Sequence, residues 1–220
     1  MPVIVLLRHG LSSANSSGIL AGRAPGVFLT EEGVSALEAN LQLLPNRSFT
    51  RLLHSPLERC VQTAEIARQV ADFGSVDVDR AVIELDYGDW TGRSLQDLGQ
   101  EPLWATVIER ASQARFPGGE SIAEAADRSV GRVRGLVAQM REEEPEETRQ
   151  WAMIVSHGDI IKAVIADALG MPLDDFQRLS VAPGSFTVID YSGPRPVLAA
   201  MSVTAAGLAQ SAAVGGGGLR

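Results

Sequence analysis

Cysteine is all but missing: Cys60 is the one thiol in 220 residues, so no disulfide can form within the chain, and its expected role is helix packing in a reducing compartment. Positive charge is also scarce. The 19 Lys and Arg are outnumbered by 27 Asp and Glu, giving a net charge of −8 and arguing against a nucleic-acid partner, since such binding rests on basic side chains against phosphates. A few arginines converging in a dry cleft can still hold a small anion, because charge interactions strengthen at low effective dielectric and distant charges are screened beyond about 10 Å. No apolar run approaches the roughly 20 residues that cross a bilayer, and the N-terminal residues show neither a basic leader nor a cleavage site. The expectation is a cytoplasmic protein with no membrane partner and, at 45% hydrophobic residues, a sizeable core.

What is present begins with "LLRHGLSSAN", residues 6 to 15. The aliphatic run Val3–Leu7 reads as a strand buried on both faces, and charge begins where that strand ends. In open α/β sheets ligands bind at the carboxyl ends of strands, so Arg8 and His9 stand where such a fold places chemistry. Further strand patterns at Leu52–His54, Val76–Val78, Met153–Val155, Phe186–Tyr191 and Val197–Val203 alternate with helical ones. One helix starts after the capping Thr30, carries Glu31 and Glu32 in its first turn and Val34, Leu37, Leu41 and Leu44 on one face, and ends at Pro45. Another starts near Leu57. A later one turns Ile161, Val164, Ile165 and Leu169 inward and stops at Gly170.

Between residues 95 and 149 there is no convincing strand. Two helical patterns flank "FPGG", the second with Ile122, Ala126, Val130, Val133, Val137 and Met140 on one face, which reads as a cap inserted at about 87–149. "EEEPEETRQ" reads as a charged surface turn, and 205–220, with its "GGGG", as a flexible tail after a single domain of residues 1–204. The fold class is α/β: a three-layer α/β/α sandwich with a mainly parallel central sheet and a helical cap.

"VIVLLRHG" and "AMIVSHG" are both buried strand, polar residue, then His-Gly. If both strands share one parallel sheet, His9 and His157 face one crevice. A lone strand-end histidine is ordinarily a structural hydrogen-bonding residue; two in matching contexts point to a site. Arg59, near the start of a helix that follows a strand, projects to the same edge, unless it is an exposed arginine paired with Glu58 or Glu65. His54 either lines the pocket or serves its strand end.

Five blocks, "LLRHG" with Asn15, "SPLERCVQTAEIA", "ELDYGDWTG", "PGGES" and "VSHGDIIKAV", occur in the order and spacing of the histidine phosphatase superfamily, the phosphoglycerate-mutase-like proteins, which the chain resembles over about residues 3 to 191. The resemblance implies a phosphoglycerate-mutase-like fold and roles for particular residues. His9 would be the nucleophile that becomes phosphorylated. Arg8, Arg59 and His157 would bind the transferring phosphoryl group, and Glu84 would give a proton to the leaving group. Asn15 either binds phosphate or caps its loop.

Those residue types suit the chemistry. Charge on a transferring phosphoryl group spreads over three equatorial oxygens, so catalysis is positioning plus electrostatic stabilisation, and two guanidinium forks with an imidazolium supply the donors. His9 needs one unprotonated ring nitrogen, and Glu84 a raised pKa so that it holds its proton. Asp86 and Asp89 are rivals to Glu84, with turn chemistry as their plainer role and packing as that of Trp90. Ser156 and the helix from Gly158 could lend donors to an anion.

The chain departs from the family pattern after "RHG", where Leu11 and Ser12 stand in place of Glu or Gln and Thr, and in "GDWTG", where Thr91 replaces Glu. Both changes bear on specificity. The compact chain favours a phosphatase acting on a small phosphorylated metabolite over a mutase. A non-catalytic phospho-ligand-binding domain would show loss of His9 or Glu84, and both are present. No cofactor is expected and no metal, because arginines beside the histidines repel a cation. Leu11, Val27, Phe28, Leu103 and Trp104 are candidates for an apolar wall of the pocket.

Overall fold

Every residue of Pro2–Arg8 is buried, as its unbroken aliphatic run demands, and this strand, β1, lies inside the sheet. The computed structural model describes residues 1–143 and 149–207. In chain order the elements are β1, α1 (Ser13–Ser16), α2 (Glu31–Leu41), β2 (Ser48–His54), α3 (Glu58–Ala67), β3 (Asp72–Val78), α4 (Leu95–Leu98), α5 (Pro102–Glu109), α6 (Ile122–Glu143), β4 (Gln150–Ser156), α7 (Gly158–Leu169), β5 (Phe186–Asp190) and β6 (Val197–Val203), with short 3₁₀ turns between them.

The six strands form one sheet in the order β3-β2-β4-β1-β5-β6. The first four are parallel, β5 pairs antiparallel with β1, and β6 pairs antiparallel with β5 at the edge. Alternation within the strands sends side chains to opposite faces. Val3, Val5 and Leu7 meet Leu37 and Leu41 of α2 and Cys60 and Ala64 of α3, so Cys60 takes the packing role expected of it. Ile4 and Leu6 meet Val133 and Leu136 of α6 and Ile161 and Val164 of α7. The three-layer sandwich follows from these two faces.

A third cluster, with Tyr87, Trp90, Leu98, Val107, Phe116, Ile122, Ile160 and Phe176, covers the carboxyl edge of the sheet. Only the first turns of α6 join it. The rest of that helix packs its Val133, Leu136, Val137 and Met140 on the sheet, so α6 is part of the sandwich layer more than of the cover.

Thr30 caps α2 by accepting from Gly33 N, but the helix stops at Leu41, ahead of Pro45; Leu44 is buried from the turn that follows. Strands β2 and β3 begin earlier than their apolar residues suggest. In β2, Ser48 and Thr50 are exposed around the buried Phe49, and β3 is an edge strand with nearly every side chain in solvent apart from the half-buried Phe73, so each start carries one phenylalanine and no apolar run. Leu169 is 43% exposed, not inward, at the last position of α7. Gly170 then terminates α7 with φ +66°, a left-handed conformation that costs glycine nothing. No described helix is long and apolar enough to cross a membrane. The charged turn lies largely, and the tail from 208, outside the described residues.

Candidate active site

Parallel pairing of β1 with β4 sets Arg8 opposite Ser156, and His9 N–H donates to Ser156 O at 3.0 Å. The two His-Gly turns therefore meet: the rings of His9 and His157 lie 5.3 Å apart at 59°. His9 Nδ1 is 2.8 Å from Gly10 O. A carbonyl only accepts, so Nδ1 carries the proton and Nε2 keeps its lone pair. Burial, followed by the cations Arg59 and Arg8, pushes the His9 pKa well below its usual 6.5, which keeps the ring neutral.

His157 is fully buried at the N-terminus of α7, behind His9. Its Nδ1 accepts from Arg59 Nη2 at 3.2 Å, which leaves Nε2 to donate to Ser55 Oγ at 2.7 Å. Burial, Arg59 and His9 hold this ring neutral too, so the imidazolium expected here is corrected: a second cation beside Arg59 in a dry site is disfavoured.

Arg59 projects from the second residue of α3 into the protein and is 2% exposed, which removes the surface-pair alternative. Its Nη2 also donates to Gly22 O at 2.8 Å, while its Nη1 is buried without a hydrogen-bond partner. Arg8 donates through Nη1 to Val181 O. The start of α7 lies against its guanidinium: a Cβ on Gly158 would come within 3.3 Å of Arg8 Cζ.

Glu84 is 8% exposed and takes Leu85 N–H on Oε1 at 2.9 Å, with Oε2 3.7 Å from His157 Nδ1. Burial first, then the Asp159 carboxylate, push its pKa up to about 7, the direction expected of a proton donor. Its backbone is held by a clamp that its motif did not announce. Arg23 Nε and Arg128 Nη2 both donate to Glu84 O, at 2.8 and 3.2 Å. Glu120 Oε1 joins these arginines, at 2.8 Å from Arg23 and 2.7 Å from Arg128, and accepts from Asp86 N at 2.9 Å.

Five of the six expected residues, Arg8, His9, Asn15, Arg59 and Glu84, line one cavity of about 800 Å³, part of it open to solvent; His157 stands sealed behind them. Asn15 caps its loop, with Oδ1 accepting from Ser12 N at 3.1 Å and Ser12 Oγ at 2.9 Å, and reaches the cavity as well. Asp86 pairs with Arg23 and accepts Gly88 N–H in a turn, and Trp90 packs on Phe116; of the two, only Trp90 lines the cavity. His54 serves its strand end, Nδ1 against Ser55 O at 3.0 Å. Ser156 Oγ is committed to Val82 O at 2.7 Å. Of the proposed apolar wall only Trp104 faces the cavity, and Phe28 is 50% exposed. The wall is built instead by residues of the cover, with Ile19 and Leu20.

Sequence reasoning missed a polar group on the cavity floor. Tyr87 OH donates to Asp159 Oδ2 at 2.9 Å, and the buried Lys162 Nζ lies 3.3 Å from Asp159 Oδ1 and 2.8 Å from Gln177 Oε1. An acid and a lysine three apart on an otherwise apolar helix is the signal that was available; Gln177 had none. Among the described residues no cluster of three or more His, Cys, Asp or Glu side chains could hold a metal ion.

Two imidazoles with lowered pKa, two buried guanidiniums and a carboxyl with a raised pKa at the carboxyl edge of a parallel sheet define an α/β protein fitted to handle a phosphate-sized anion. The chain belongs to the histidine phosphatase superfamily: the family model of its branch 1 matches residues 4–204. It is 28% identical to the adenosylcobalamin/α-ribazole phosphatase of Salmonella typhimurium over 84% of this chain and 88% of that one. It is 30% identical to a protein of Proteus mirabilis named probable phosphoglycerate mutase, over 86% and 84% of the two chains. The crystal structure of the α-ribazole phosphatase from Shigella flexneri superposes with a TM-score of 0.75 at 28% identity, covering 91% of this chain and 96% of that one.

Proposed function

We propose that the chain hydrolyses phosphomonoesters of small metabolites through a phosphohistidine on His9. The observation that carries this reading is the pairing of a neutral His9, its Nε2 lone pair held available, with the buried and unpartnered Nη1 of Arg59 in the same cavity. Arg8, Arg59 and Asn15 surround the phosphoryl oxygens, and His157 fixes the fork of Arg59 from behind. His9 Nε2 attacks phosphorus, the bond from phosphorus to the ester oxygen breaks, and Glu84 gives its proton to the leaving alkoxide. Water then attacks the phosphohistidine, Glu84 takes back a proton, and phosphate departs with His9 restored. The arginines stabilise charge on the equatorial oxygens in both steps.

The mutase reaction shares the first half and differs in returning the phosphoryl group to a second hydroxyl. Hydrolysis of a panel of phosphomonoesters in EDTA, with isomerisation of 3-phosphoglycerate followed in the same tubes, separates the two. Phosphate released by the wild type and not by His9→Ala is the expected result; isomerisation without release would overturn it. Residues 1–204 are read as a single domain. The cytoplasm is the place of action, consistent with the lone reduced thiol, and the net charge of −8 speaks against a nucleic-acid partner.

A further inference from the structure

Next to the phosphoryl-binding corner the cavity is walled by Ile19, Leu20, Leu95, Trp104, Val107 and Phe116. The rings form a continuous set, with Trp90 6.1 Å from Trp104 and 5.2 Å from Phe116. Charge is distributed unevenly over the described lining residues. Both cations, Arg8 and Arg59, belong to the phosphoryl corner; the other charged positions are Glu84 and Asp159. Lys162, the nearest further cation to Asp159, is 1% exposed, engages Asp159 and Gln177, and is not a lining residue.

A carboxylate on the alcohol part of a substrate would enter this space facing Asp159 and an apolar wall, with no lining cation left to pair it, and an unpaired buried charge is costly. A neutral ring would bury its surface against Trp104, Val107 and Phe116 and find ring edges and faces at stacking distance. Gln177 adds direction. Its Oε1 accepts from Lys162, which leaves its amide N–H groups to meet an acceptor on the substrate.

We infer that the alcohol subsite takes a neutral, ring-bearing phosphomonoester and discriminates against phosphorylated carboxylic acids, because its wall is aromatic and aliphatic, the Asp159 carboxylate in its lining is already engaged by Lys162 and Tyr87 and has nothing to offer a second carboxylate, and its lining cations are confined to the phosphoryl corner. This rests on the hydrolase reading above and narrows it. Such a substrate is the product of a reaction that leaves a phosphate on a primary or secondary alcohol attached to an uncharged ring.

The test compares kcat/KM for benzyl phosphate, for its para-carboxylate and for 3-phosphoglycerate, three esters of aliphatic alcohols, so that leaving-group chemistry stays comparable. Benzyl phosphate exceeds each of the other two by at least about tenfold if the charge rule holds; equal values, or a preference for either carboxylate, overturn it. In Trp104→Ala the advantage of benzyl over ethyl phosphate falls several-fold. Ile19→Lys, at a half-buried position of the same wall, keeps the variant series decisive if loss of Trp104 disturbs folding: the added cation shifts the benzyl to 3-phosphoglycerate ratio toward the acid by about tenfold or more, and an unchanged ratio overturns the assignment. Should no ester be turned over, the hydrolase reading falls, and calorimetric titration of the wild-type protein with benzylphosphonate against 3-phosphoglycerate decides the subsite by itself, tighter binding of the phosphonate supporting it and tighter binding of the glycerate overturning it.

Discussion

Arg59 Nη2 stands 3.2 Å from His157 Nδ1 and 2.8 Å from Gly22 O, so the guanidinium is fixed on one side while its Nη1, equally buried, has no partner. An unsatisfied buried donor costs about 1–3 kcal/mol, which a protein carries where a ligand repays it. Inorganic phosphate is therefore expected to raise the thermal midpoint, by several degrees at concentrations about 100 times its dissociation constant. In Arg59→Met that rise is lost together with at least about 100-fold in kcat/KM. A phosphate shift of the same size in wild type and variant would remove Arg59 from the binding site.

His9→Ala is expected to abolish turnover, by at least about 10⁴-fold, while the protein stays folded, because removal of a nucleophile disables the whole catalytic unit. Phosphate release in EDTA and a thermal melt on the same preparation check both halves. Residual hydrolysis near the wild-type rate would move the nucleophile elsewhere.

Glu84 holds its proton up to about pH 7, chiefly through burial, whereas the ordinary carboxyl value is 4.5. The acid form is the donor, so kcat/KM for an alkyl phosphate stays high below that value and declines tenfold per pH unit above it. His9, its pKa pushed down, is already neutral across that range and adds no falling limb near pH 6.5. A nitrophenyl ester, whose leaving group needs no proton, lacks the alkaline decline. Glu84→Gln costs about 10²- to 10⁴-fold on the alkyl ester and much less on the nitrophenyl one; equal losses would sink the assignment.

The sandwich was legible because β1 and β4 are continuous apolar runs that can be satisfied only between two helical layers, and because each ends in His-Gly. Where a residue's burial does not follow from its own polarity, the pattern misled. Residues 72–75 and the start of β2 form strands through backbone pairing while most of their side chains stay in solvent, with Phe49 and Phe73, one on each strand, stacked on each other. The apolar wall was misplaced for the converse reason: Val27, Phe28 and Leu103 look like wall from composition, but which apolar residues face a cavity is decided by how the cover folds back over β1 and β4. Position after a strand brought Arg59 into view and the resemblance brought Glu84; the environment that raises one carboxyl and leaves one guanidinium nitrogen unpaired comes from long-range contacts that spacing does not encode.

Glu120 extends that lesson into a test. It lies in "PGGES", far from Glu84 in sequence, yet it ties Arg23 and Arg128 together so that both grip the Glu84 carbonyl. Its side chain is 16% exposed, so Glu120→Ala leaves two arginines without their shared partner in a poorly solvated place, at a cost of about 1–3 kcal/mol. Loss of stability alone would fit any structural acid. A positioning role adds a second effect: with its backbone released, Glu84 gains water, its pKa falls from about 7 toward 4.5, and the alkaline limb of the alkyl-phosphate profile moves to lower pH. Glu120→Gln, which keeps an acceptor for the arginines but not the charge, should move the limb less than Glu120→Ala. A profile that stays in place while the thermal midpoint falls would show that the clamp holds the cover together without setting the protonation of Glu84.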